Sequence, residues 1–127
     1  MMKTVNPWFL RQLIFPLIAE DESISPLSNK FDICREIRNY VLPEVQSRKI
    51  RYQIKLKNTL AYYLQRDTSF DDYFTDPVFL SIVPPTPARL YFEWVWSELY
   101  PNDSYNDMDF SDYKVVPLIE EPLMLCI

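Results

Sequence analysis

None of the 127 residues is glycine. That absence narrows the folds open to the chain more than any motif does. Glycine enters the left-handed backbone region without steric cost, so tight hairpins and many helix ends depend on it. Any turn that needs a positive φ must here fall on asparagine or aspartate, with Asn29, Asn102 and Asn106 the natural candidates. Helices joined by irregular turns are favoured over hairpins. Gly-rich phosphate cradles are excluded in their usual form.

Histidine is missing as well. The commonest general base, the commonest metal ligand and every Ser-His or Cys-His nucleophile go with it. A carboxylate-only hydrolase built on Asp67, Asp71, Asp72 and Asp76 has no spacing argument behind it, and those groups read more simply as caps of short helices. Asp103, Asp107, Asp109 and Asp112 do not match a calcium loop, which wants a glycine at its sixth position and a glutamate at its twelfth. The expectation is a chain that is not an enzyme and holds no cofactor or metal.

The stretch 43–66, PEVQSRKIRYQIKLKNTLAYYLQR, has no breaker after its opening proline and carries six Lys or Arg against one acid, Glu44. Ile50, Tyr52, Ile54 and Leu56 alternate with polar residues, which suits a strand over 48–57. At about 100° per residue the same stretch gathers Val45, Ile50, Tyr52, Ile54, Leu56, Leu60, Ala61, Tyr63 and Leu64 into one broad arc. Its length decides for a helix. On that helix Arg48, Arg51, Lys55 and Tyr62 form one solvent-facing ridge, a docking surface for something anionic.

Other elements follow from caps and periods. Asn6 caps and Pro7 opens a first helix over 6–15, turning Trp8, Phe9, Leu13 and Ile14 inward until Pro16. Ser28 or Asn29 caps a second helix whose face repeats through Phe31, Cys34, Ile37 or Arg38, and Val41, ended by Leu42–Pro43. Residues 67–84 read as short helical turns, with 78–83 open to a strand reading. Thr86 caps and Pro87 opens a helix over 86–100 that is apolar most of the way round. Trp94 and Trp96 lie about 200° apart on it, so one flat neighbour cannot cover both. The tail, VVPLIEEPLMLCI, is cut by Pro117 and Pro122 and reads as an extended segment. The predicted architecture is a mainly α single domain, 1–127, of four or five helices; the competing picture is α+β, with a small sheet from 48–57, 78–83 and 115–119.

Charge is divided along the chain. Residues 1–66 hold eleven basic and six acidic residues, a net of +5, and 67–127 hold two and twelve, a net of −10. The two halves should attract, within one chain or between chains. No apolar run approaches the ~20 residues that span a bilayer. The N-terminal apolar run is broken by Arg11 and Pro16 with no cleavage pattern after it, so a cytoplasmic chain with reduced Cys34 and Cys126 is expected.

These features point to a small interaction protein: an adaptor, assembly factor, inhibitor or immunity-type binder. Its candidate contacts are Arg48, Arg51, Lys55 and Tyr62 on the ridge, Trp94 and Trp96 on the 86–100 helix, and Asp103, Asp107 and Asp109 in the acidic 101–112 segment. Self-association through 86–100 is a further expectation. The alternative is a nucleic-acid binder using the basic 48–57 stretch, with Tyr52 or Tyr62 for stacking.

Overall fold

The computed structural model describes residues 3–18, 26–66, 68–74 and 80–116. The chain is mainly α. Strand β1 (Thr4–Val5) leads into α1 (Trp8–Gln12) and a 3-10 turn, Phe15–Leu17. A long rod follows, made of α2 (Lys30–Glu36), a π-helical turn (Ile37–Val41) and α3 (Leu42–Gln46). Then come α4 (Ile50–Leu64), 3-10 turns at Asp71–Phe74 and Tyr105–Asp107 on either side of α5 (Arg89–Leu99), and β2 (Lys114–Val115). The three-stranded sheet does not form. Residues 50–57 are helical, β2 pairs in parallel with β1, and 80–83 makes only isolated bridges to Ile18 and Leu27. The tail beyond Val116 and residues 78–79 lie outside the described residues.

No described residue adopts a positive φ. Asn29, a candidate for one, has φ −81° and caps α2 as the sequence also allowed, its side chain accepting the Phe31 N–H at 2.8 Å. Other helix ends are satisfied from a distance. The Arg89 guanidinium donates to the carbonyls of Leu64 and Arg66, at the C-terminus of α4 where carbonyls otherwise lack partners. The Gln65 amide donates to the carbonyls of Tyr105 and Met108.

Asn6 behaves as expected of a cap. Its side chain accepts the Trp8 N–H at 3.0 Å, and its own N–H donates to the buried Thr59 hydroxyl at 3.2 Å, fastening β1 to α4. Thr86 does not cap α5, which starts at Arg89; the Ala88 N–H reaches Asp71 Oδ1 at 3.2 Å, so the cap comes from 17 residues upstream.

Pro43 does not end the second helix. A proline inside a helix lacks an N–H and pushes its ring against the carbonyl one turn back. The wider π turn immediately before Pro43 loosens that contact, and the rod runs on to Gln46. The break comes at Ser47–Lys49, with Lys49 extended at ψ 152° and the Ser47 hydroxyl donating to the Glu44 carbonyl at 2.7 Å. The 43–66 stretch is therefore two helices. The buried face of the rod also differs from expectation: Ile33, Ile37, Val41 and Val45, four apart, point inward, while Phe31 is 70% exposed. Cys34 is half-buried, and its thiol is pushed up by burial and then by the neighbouring Glu98 carboxylate.

Helix α4 is the centre. Tyr52, Leu56, Leu60 and Leu64 form a buried stripe that meets α1, β1, α5 and the 105–107 turn. Phe9, Leu10, Leu13 and Leu17 close one side of the core; Tyr91, Phe92, Val95 and Trp96 of α5 close another. Phe70 stacks on Phe92 at 4.6 Å, and the Tyr91 hydroxyl donates to the Leu13 carbonyl, tying α5 to the end of α1. Fully burying a leucine is worth roughly 1.5–3 kcal/mol, so this stripe accounts for a large share of the driving force. Leu60→Ala should cost about 2–5 kcal/mol in urea unfolding. Ile54→Ala on the opposite face should stay within about 0.5 kcal/mol of wild type. Equal losses at the two positions would remove α4 from the centre.

Candidate functional site

The basic ridge is present in sequence but divided in space. Arg48 lies in the turn before α4, paired with Glu44 at 2.6 Å and 5.4 Å from the Tyr52 ring centre. Arg51 is exposed. Lys55 is half-buried, its ammonium donating to the Thr4 hydroxyl of β1. Tyr62 is half-buried between the Arg66 guanidinium, 3.4 Å above its ring, and the edge of Phe110 at 5.7 Å. Only the N-terminal end of the ridge faces solvent, because β1 and the segment around Phe110 fold back over the rest. A single continuous ridge is thereby corrected.

The acidic segment is partly spent on the same folding. Asp103 binds Lys57 at 2.7 Å, and its carbonyl accepts the Trp96 indole N–H at 2.9 Å. Lys3 pairs with Asp112 at 3.2 Å, and Arg38 grips Glu98 with two bonds of 3.1 and 3.2 Å. Each of these pairs joins a cation from 1–66 to an acid from 67–127, so the opposed halves meet within one chain. Asp107 is exposed on its 3-10 turn. Asp109 is exposed and accepts the Ser111 N–H at 3.0 Å, which holds its carboxyl below the usual range.

The tryptophans are divided as their spacing predicted, but neither stands free. Trp96 is buried between Tyr100, at 4.7 Å, and Tyr105, at 5.8 Å. Trp94 is half-buried, with the Lys30 ammonium 5.8 Å from its ring centre. Trp96 is therefore corrected from a surface anchor to a core residue.

An open apolar surface lies elsewhere. Ile50 and Ile54, one turn apart on α4, are 67% and 53% exposed. With Leu42 and Val45 of the rod and Leu99 and Tyr100 at the end of α5 they line a groove of about 220 Å³, edged by Gln46, Gln53 and Lys57. The sequence had placed both isoleucines in the inward arc. The missed signal was the width of that arc: the stripe from Tyr52 to Leu64 already fills the core face, and Ile50 and Ile54 point about 100–140° away from its middle. Tyr100 adds a polar feature. Its hydroxyl is out of water with no hydrogen-bond partner, and burial pushes its pKa up, so it remains an O–H donor across the ordinary pH range.

A second cleft of about 240 Å³ lies between α1 and the α3–α4 corner, lined by Gln12, Phe15, Val45, Arg48, Tyr52 and Leu56 among others. Among the described residues no three His, Cys, Asp or Glu gather to hold a metal ion, and no helix is long and apolar enough to cross a membrane.

The Lys57 and Asp103 side chains are 31% and 54% exposed, which sets the scale of their pairing. A double-mutant cycle with Lys57→Met and Asp103→Asn should give a coupling below about 1 kcal/mol that shrinks further in high salt. A larger, salt-insensitive coupling would make this pair a structural determinant. Compared with known proteins, the chain matches no family model, no curated protein and no solved structure.

Proposed function

We propose that this chain is a protein–protein interaction module that works by surface complementarity, without catalysis. The observation that carries the reading is the groove on the outer face of α4. Two isoleucines a turn apart stand in water beside Leu99 and Tyr100, with polar groups around them. An apolar centre within a polar rim is the ordinary anatomy of an interface, and contiguous exposed apolar surface on a small chain usually marks one. The adaptor, inhibitor and assembly-factor readings share this mechanism. Of the 86–100 helix, Leu99 and Tyr100 contribute to the surface, while Trp96 is occupied by the core. The same proposal places the chain in the cytoplasm, in keeping with Cys34 as a free thiol.

A nucleic-acid reading keeps one supporting observation. Arg48, Lys49 and Arg51 lie together and exposed where α4 begins. Such binding would weaken linearly with log salt, with a slope near the number of phosphates neutralised.

A photo-crosslinking amino acid at position 54, in native lysate, separates the two. The expected result is a discrete protein adduct that survives nuclease, is lost in the Ile50→Asp variant and is absent when the crosslinker sits at the exposed Ser97 of α5. Adducts no stronger at position 54 than at 97 would overturn the interaction reading. Capture that vanishes with nuclease and high salt would replace it with the nucleic-acid one.

A further inference from the structure

Resting on the docking reading above, we infer that the groove takes an acidic amphipathic helix, which sets apolar side chains over Ile50 and Ile54 and brings a carboxylate to Lys57.

Shape supports this occupant. The groove lies between helical walls, the α3 end on one side and the α5 end on the other, with α4 as its floor. At about 220 Å³ it falls below the 300–1,000 Å³ usual for small-molecule pockets. It suits a few side chains pressed in from a larger partner. Ile50 and Ile54 repeat with the four-residue spacing that a partner helix presents along its own apolar face.

Charge supports it independently. The lining residues include one cation, Lys57, and no carboxylate. Lys49 and Arg51 are exposed on the adjoining turn, and the half of the chain that supplies the floor is net basic. Lys57 holds Asp103 at 2.7 Å, but an ammonium has three donors, so a second carboxylate can share it. A basic or strongly cationic partner would meet like charge here.

The test uses the full chain and two fluorescein-labelled, helix-forming peptides with leucine at i, i+3, i+4 and i+7, one with glutamate and one with lysine on the other positions. Fluorescence anisotropy should show the glutamate peptide binding at least roughly tenfold more tightly than the lysine peptide. Ile54→Ala should weaken the glutamate peptide by roughly tenfold while leaving the Tm of the free protein unchanged. Equal binding of both peptides would overturn the acidic assignment and leave the docking reading standing. Dimers in sedimentation that Ile54→Ala disperses would make a second copy the occupant and overturn the inference. Silence from both peptides would overturn it too; the docking reading then falls only if crosslinking at position 54 is also negative.

Discussion

Four side chains spaced one turn apart on α4, Tyr52, Leu56, Leu60 and Leu64, are what the other elements lean on, and all four are almost completely buried. α1 packs over the first of them, α5 and the 105–107 turn over the last. The polar contacts of α4 repeat the arrangement: Thr59 holds Asn6, Lys55 holds Thr4, and the final carbonyls are taken by Arg89 from α5. A helix engaged on so many sides has little surface left. What remains, the edge carrying Ile50 and Ile54, is apolar and uncovered, and this is why it is the part of the molecule most readily assigned a partner.

The division of charge acquires a different meaning in three dimensions. Along the sequence it suggests a basic face seeking an anion and an acidic face seeking a cation. In the fold Lys57, Lys3 and Arg38 have found Asp103, Asp112 and Glu98. Each pair keeps at least one side chain open to solvent, so its contribution to stability is small. Basic groups remain outward at the turn before α4 and in its first residues, next to the groove. Basic and apolar surface thus share one side of the molecule.

The helices were legible because their signal is periodic and long. The α4 pattern, the Asn6 and Asn29 caps, and a helix within 86–100 all came from spacing alone. The misreadings have tertiary causes. Nothing in Ser47–Arg48–Lys49 marks a helix break, and Pro43 resembles a stop until the π turn beside it is known. Thr86 has the chemistry of a cap, but Asp71 reaches the same N–H from another segment. The ridge through Lys55 and Tyr62 depends on what folds over it, and the covering residues, Thr4 and Phe110, are about fifty positions away in sequence. The groove was least legible, because an apolar residue at the edge of a wide arc looks the same whether a neighbour covers it or not.

A chain without glycine, whose described residues never enter the left-handed region, has a consequence beyond its turns. With no glycine and 11 prolines, the denatured chain samples fewer conformations per residue than an average sequence does. Folding therefore surrenders less disorder, and part of this protein's robustness resides in the stiffness of the state it leaves behind.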